Sequence, residues 1–458
     1  MVRLLSFLAA ALAVASPVVE EEKWPPPWWP FGHDHWAVLV AGSSGYGNYR
    51  HQADVCHAYQ LIKQAGVHPS QIIVLAVDDI AQNDENPYPG QLFNKPTLAG
   101  TPGVDVYEGC VIDYSGKSVT PDTFVKVLTG DAAGLAGVAG SGKVLKSTHK
   151  SRVFVNFVDH GGVGIIGFPE TTMHAKELIG ALSTMHTSKM YKELVFYLEA
   201  CESGSMFEEL PEDIQIYATS AANAKESSWG TYCPPDDMVN GKSLNSCLGD
   251  LYSVNWMEDS DTSLASGETL AEQFARVQKA TNKSHVTQFG AQRIANTEPT
   301  SNFQGKTDKT AEDASTVTPA SEARLLGKPV ARASALPPRL SSDLPSADAE
   351  LASAYARFMA TESPTAAEEL MRGMRDRLTA NERFDKIATA VTGAKLSGAR
   401  PARVPMTCHY EAHKAYIAHC GEWTTGALKH SADLAHLCGI TTGDSRSIVA
   451  AIREVCAE

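Results

Sequence analysis

The chain is short of positive charge. Its 458 residues hold 39 Lys+Arg against 53 Asp+Glu, a net charge of −14. As a whole it repels polyanions, which argues against a nucleic-acid binder, whose affinity rests on Lys/Arg neutralising phosphates. Beyond the extreme N-terminus it also lacks an apolar run near the roughly 20 residues that a membrane-spanning helix needs, so no membrane partner is expected. No internal repeat is found. The P-loop look-alike Gly137–Val144 ends on Val144, where a Mg²⁺-binding Ser/Thr is required, and no strand precedes it. The Cys/His-rich tail (Cys408, His409, His413, His419, Cys420, His430, His436, Cys438) fits no zinc spacing. No metal and no cofactor are expected.

What is present is an ordinary globular composition, 43% hydrophobic with 35 Gly and 24 Pro, long enough for about three domains. Residues 307–458 carry 18 Lys+Arg and 19 Asp+Glu, so almost all of the negative excess lies on residues 1–306. The N-terminus has a basic start (Arg3), an apolar run from Leu4 to Val14 and an Ala13-Val14-Ala15 end. These are the parts of a secretory signal peptide over 1–15. A Pro/Trp-rich leader follows over 16–34 and reads as an extended propeptide.

Nine cysteines in a secreted chain point to disulfides. Cys233, Cys247, Cys408, Cys420, Cys438 and Cys456 make an even set. Cys56 reads as a small buried hydrophobe in a helix, and Cys110 gives no clear signal. Cys201 stands apart. Asn282-Lys283-Ser284 is a glycosylation sequon, consistent with the secretory route.

From His35 onward, apolar runs alternate with helical patterns. Trp36–Ala41, Ile72–Val77, Val153–Val158, Leu194–Leu198 and Ile214–Ala218 read as buried strands. Ala53–Lys63, Thr120–Thr129 and His174–His186 read as helices. This is an α/β domain over 35–306 with a mainly parallel central sheet flanked by helices, and its active site belongs at the carboxyl ends of the strands. Residues 307–347 read as an exposed linker. Residues 348–458 read as an all-α domain, with a helix starting at Ser363-Pro364 and others over Cys408–Cys420, Gly426–Cys438 and Ser445–Cys456.

Two strand ends carry chemistry. One runs into Asp159-His160-Gly161, the other into Glu199-Ala200-Cys201-Glu202-Ser203-Gly204. A thiol and an imidazole at neighbouring strand ends suit acyl transfer. The thiolate attacks an amide carbonyl, the imidazole handles the leaving amine's proton, and turn amides bind the oxyanion.

These strings, with Gly47-Asn48-Tyr49-Arg50-His51-Gln52-Ala53-Asp54 and Leu248-Gly249-Asp250 to Trp256-Met257-Glu258-Asp259-Ser260-Asp261, closely resemble the legumain family. These are the asparaginyl endopeptidases, or vacuolar processing enzymes, of caspase-like fold. The resemblance implies Cys201 as nucleophile, His160 as general acid/base, Asn48 orienting it, and the amides of Gly161 and Cys201 as oxyanion hole. Arg50, His51, Glu199, Ser228 and Asp250 would form the pocket for the substrate residue. An asparagine side chain offers one acceptor and two donors, which Arg50 facing Glu199 and Asp250 would match. The bland alternative, a structural Arg50–Asp250 ion pair, stays open beside it. Aspartate would fit only when protonated, hence in acid, since it titrates near about 3.9.

The resemblance also implies a death-domain-like C-terminal prodomain that inhibits the enzyme, bridges Cys408–Cys438 and Cys420–Cys456, and a loop disulfide Cys233–Cys247. Substrates would be proteins and peptides with exposed Asn or Asp. The enzyme would act in the secretory pathway, in a vacuole or lysosome or outside the cell. Some plant relatives are peptide ligases. Gly230 stands where those often carry a bulkier residue, so hydrolysis is expected ahead of ligation. The linker has no asparagine between Asn302 and Asn381, which leaves Asp343, Asp348 and Asn302 as candidates for self-cleavage. Residues 351–458 carry 13 basic and 12 acidic side chains, a slightly basic cap whose attraction to the acidic portion acid would weaken.

Overall fold

The computed structural model describes residues 35–98, 100–305, 342–396 and 403–457. The signal peptide, the Pro/Trp leader and most of the linker lie outside the described residues.

The first apolar run becomes β1 (His35–Ala41), buried on both faces. It is followed by α1 (Tyr49–Gln64), β2 (Ile72–Leu75), α2 (Pro121–Thr129) and β3 (Arg152–Val158). A small antiparallel sheet of β4 (Gly161–Gly162), β5 (Ile165–Phe168) and β6 (Thr171–His174) leads into α3 (Ala175–Thr187). Then come β7 (Glu193–Glu199), β8 (Ile216–Ser220), β9 (Trp229–Thr231), the hairpin β10 (Met238–Val239) and β11 (Lys242–Ser243), and β12 (Gly249–Asp250). The set closes with α4 (Leu251–Ser263), α5 (Leu270–Ala280), β13 (Thr287–Gly290) and β14 (Leu344–Pro345).

The six-stranded sheet runs β13-β8-β7-β3-β1-β2, parallel except for β13. Because side chains alternate along a strand, Val153, Val155 and Phe157 of β3 face α2 and α3 through Phe124, Leu178 and Leu182. Phe154 and Val158 face α1 and α4 through Tyr59, Ile62 and Trp256. The register sets Ala41 beside Val158 and Val158 beside Glu199, so β1, β3 and β7 end together.

Several boundaries move for local reasons. The helix expected from Ala53 begins at Tyr49, because the polar Arg50, His51 and Gln52 are buried in its first turn. The fifth strand starts two residues late, since Gln215 takes φ 57° and breaks the extended run. The helices at Thr120 and His174 start as read. Thr120 Oγ1 caps the Thr123 amide, and His174 with Glu177 forms a reciprocal cap.

The C-terminal domain consists, among the described residues, of helices Ser346–Thr361, Pro364–Thr392, Met406–Cys420, Thr425–Leu428, Ser431–Ile440 and Arg446–Val455. They enclose Phe384, Ile387, Tyr416, Trp423, Leu437 and Ile452. The single helix expected over Gly426–Cys438 is two. His430 turns inward to stack on Phe384 (4.7 Å) and to meet Asn381 Oδ1 (3.0 Å), and the chain restarts at Ser431. The bridges Cys408–Cys438, Cys420–Cys456 and Cys233–Cys247 are present. Cys56 is a correction. It is bonded to Cys110, pinning α1 to the loop ahead of α2. Among the described residues Cys201 is the one free thiol, and no helix is long and apolar enough to cross a membrane.

Candidate active site

Cys201 follows β7, His160 follows β3, and Asn48 sits at the head of α1. Asn48 Nδ2 donates to Ser44 O (3.0 Å), which turns Oδ1 toward His160 Nε2 (2.8 Å). That bond requires the proton on Nε2, leaving the His160 Nδ1 lone pair free; among the described residues Nδ1 has no hydrogen-bond partner. Cys201 Sγ lies 3.1 Å from Ser227 Oγ. Burial, with Glu202 beside it, pushes the thiol up to about 12. Burial also holds His160 well below the ordinary imidazole value, with the cations of Arg50 and Arg377 adding to it. At rest the pair is neutral, thiol and imidazole, rather than an ion pair. At Gly161 a Cβ would stand 2.6 Å from Cys201 O and 2.9 Å from Ala200 Cβ, so only glycine lets the two turns approach.

The pocket residues converge beside this pair. Arg50 is wholly buried, and its Nε donates to Asp250 Oδ1 (2.9 Å). His51 Nδ1 meets Ser43 Oγ (2.6 Å), while its Nε2 lies 3.5 Å from Asp250 Oδ2. Glu199 Oε2 accepts the amide and hydroxyl of Ser253 (3.0 and 3.1 Å). Ser228 is buried on the rim. Arg50 Nη2, Glu199 Oε1 and Asp250 Oδ2 are buried with no hydrogen-bond partner among the described residues. One donor and two acceptors left open in a dry site are costly unless a ligand supplies their complements.

Sequence reasoning missed a third carboxylate. Asp54 Oδ2 accepts the Asp250 amide (3.0 Å) and its Oδ1 accepts from Asn94 (2.6 Å). Its signal was its place four residues after Arg50, on the same helix face. Burial raises Asp54, Glu199 and Asp250 alike, and for the first two the charge of Asp250 raises them further.

The cleft is filled by the chain's own C-terminal part. β14 pairs antiparallel with β9, Leu344 opposite Gly230. The Ser346 amide donates to Ser228 O (2.9 Å), and its hydroxyl donates to Asp250 Oδ1 (3.0 Å). The stretch to 347, expected to be exposed, is therefore partly structured, with Ser346 buried. Asp343 accepts from Thr231 Oγ1 (2.7 Å), and Asp348 pairs with Arg377 (2.6 Å); neither enters the pocket. Asn302 is buried in a helical turn against Glu298, whereas Asn282 is exposed.

Among the described residues, His51, Asp159 and His160 have the spacing of metal ligands. His51 Nδ1 is engaged by Ser43 and His160 Nε2 by Asn48, so the group reads as a hydrogen-bond network. The tail cysteines are spent in disulfides.

The Peptidase C13 family matches residues 35–306. Human legumain is 40% identical over 447 residues, covering 94% of each chain. The vacuolar-processing enzyme beta-isozyme of Arabidopsis thaliana is 49% identical over 268 residues, 57% of this chain and 54% of its own. Among solved structures, caspase-1 from Spodoptera frugiperda aligns with 61% of this chain and 92% of its own, at TM-score 0.35 and 9% identity. The molecule is thus a cysteine endopeptidase with an α/β fold. It belongs to the Peptidase C13 family, among the legumains and vacuolar-processing enzymes.

Proposed function

We propose that the enzyme cleaves after asparagine, and after aspartate in acid, and that it is made as a zymogen blocked by its C-terminal domain and activated by acid self-processing. The open Arg50 Nη2, Glu199 Oε1 and Asp250 Oδ2 carry this reading. A carboxamide presents one carbonyl to the guanidinium and two N–H donors to the carboxylates. Glutamine, one methylene longer, loses that register, and a site built of hydrogen bonds rejects what leaves its groups unpaired.

In this mechanism the Cys201 thiol gives its proton to His160 Nδ1 as sulfur attacks the carbonyl carbon, with the Gly161 and Cys201 amides facing the oxyanion. The imidazolium returns the proton to the departing amine as the C–N bond breaks, and water then hydrolyses the thioester. Asn48 holds the tautomer throughout. An ionised aspartate would add an anion to three carboxylates; protonated, it resembles asparagine.

The strand pairing of β14 with β9, which puts Ser346 in the pocket, supports the blocked zymogen. The signal-like N-terminus and the sequon support the secretory route, with a vacuole, a lysosome or the outside of the cell as destination. Gly230 favours hydrolysis over ligation. A Cβ there would come 3.3 Å from Cys247 Sγ and 3.4 Å from Arg50 Cδ, so a bulkier residue would crowd the rim. The deciding measurement is kcat/KM of the acid-activated enzyme on peptides differing only in Asn, Gln or Asp before the cut, from pH 4 to 7. Asparagine should lead throughout and aspartate should fade as pH rises; strong aspartate cleavage at neutral pH would overturn the reading. Added amine nucleophiles should capture little of the acyl-enzyme.

A further inference from the structure

Where the C-terminal domain meets the start of α3, three histidines pack against one another away from the catalytic site. His174 closes β6 and caps α3; His409 and His413 come from the Met406–Cys420 helix. His174 and His409 are wholly buried and His413 nearly so. Their rings lie 5.2 Å (His174–His409) and 5.6 Å (His174–His413) apart.

The hydrogen bonds fix every proton on the first two rings. His174 Nδ1 accepts the Lys176 backbone N–H (3.1 Å), so its proton sits on Nε2. That Nε2–H meets His409 Nδ1 (3.0 Å), which must accept. The remaining His409 proton is on Nε2 and meets the Ser431 carbonyl (3.0 Å). Four ring nitrogens are satisfied with both rings neutral and in one tautomer each. An added proton on either ring would sit donor against donor. His413 Nε2 meets Thr172 Oγ1 (3.1 Å), and its Nδ1 is buried without a partner among the described residues.

The facing charges make a positive ring no easier. Lys176 reaches across to Thr407 Oγ1, and Lys414 lies over the Tyr410 ring, itself 4.9 Å from His174. Glu177, the nearby carboxylate, is engaged by the His174 amide and the Tyr410 hydroxyl. On the Ser431 helix, Asp433 is paired with His430. Trp423, on the far side of His413, is uncharged.

We propose that His174, His409 and His413 form the acid-sensitive latch that fastens the C-terminal domain to the catalytic domain, neutral when closed and broken by proton uptake. The inference rests on the reading that this domain blocks the enzyme until acid releases it. Burial holds His409 to about 4, against the lift from its bond to the Ser431 carbonyl. Burial, with His409 and Lys414 beside it, holds His413 to about 3, and burial with both other rings nearby holds His174 lower still. The sign is that of groups with depressed imidazole values. They stabilise the closed form fully above their unfolded value, and that stability is lost as pH falls toward their folded values.

The test compares the full chain with its H409Q/H413Q variant. Glutamine both donates and accepts but takes no proton. Each protein is incubated between pH 7 and 3.5, returned to one assay pH, and assayed with an asparagine peptide while the freed C-terminal fragment is followed by size exclusion. The variant should need a more acid incubation, its midpoint lying about one pH unit below the parent's. A merely structural role gives the opposite result, because damage to an interface loosens it and brings release at higher pH. An unchanged or higher midpoint in the variant, with the parent still activated by acid, overturns the latch and leaves the zymogen reading intact. Full activity of the uncut parent at pH 7 overturns that reading and the latch with it. Should the double variant fail to fold, H413Q alone carries the same test with a smaller shift in the same direction.

Discussion

The Ser346 hydroxyl donates to Asp250 Oδ1 across 3.0 Å, deep in the pocket that Arg50 and Glu199 share. On the proposed reading, a residue that is neither Asn nor Asp stands where the substrate residue would, its amide bonded to Ser228 O.

Ser346→Asn supplies the missing carboxamide. A new N-terminus at Ala347 should then appear on acid incubation, read by sequencing the fragments, and its absence at every pH would refute this view of the pocket. In the parent, Asp343 and Asp348 flank Ser346 and are held outside the pocket by Thr231 and Arg377. Cutting at either should therefore need a second molecule, and the processing rate should rise in proportion to enzyme concentration.

Asn48 holds His160 through the bond between its Oδ1 and the ring Nε2. Asn48→Ala should lower kcat/KM by about 10–100-fold while the fold persists. Asn48→Asp would set an anion 2.8 Å from the imidazole nitrogen and so favour the protonated ring. The acidic limb of the pH profile should then move to higher pH, a displacement that general damage would not produce.

Burial first, and then the charges of Asp250 and Glu350, push Asp159 up to about 8, against the relief given by the His160 backbone amide and Arg50. A carboxyl with a raised folded value binds its proton more tightly when folded. Its contribution to stability is complete below its unfolded value and disappears as pH climbs to about 8. Asp54, Glu199 and Asp250 are shifted in the same direction. Above about pH 6.5, where the buried histidines are neutral both folded and unfolded, the Tm should fall as pH rises to 8, and Asp159→Asn should flatten part of that slope. A Tm that rises with pH over this range in both proteins would contradict it.

The Cys56–Cys110 bridge closes 54 residues of chain. Removing both cysteines as alanines should cost about 2–4 kcal/mol of stability, seen as a lower Tm. Because Cys56 lies midway along α1, about two turns from Asn48, kcat/KM at 25 °C should change little.

Much of the sheet was legible because its central strands are buried on both faces, so Trp36–Ala41 and Val153–Val158 are unbroken apolar runs. The chemistry was legible because His160 and Cys201 directly follow two such runs. The start of α1 was not, because Arg50 and His51 are buried for the pocket's sake and break the apolar pattern. Cys56 and Cys110 gave no sign of each other, since a bond between residues 54 apart depends on where the intervening loop folds back. The sequence alone singled out Cys201 and His160 as candidate nucleophile and base and suggested a catalytic part, a linker and a helical tail, all of which rest on local runs and short motifs. Only the tertiary structure decided that Ser346 fills the pocket and that His174 meets His409. Each pair joins residues far apart in the chain through hydrogen bonds a few ångströms long, and no local pattern records such a distance.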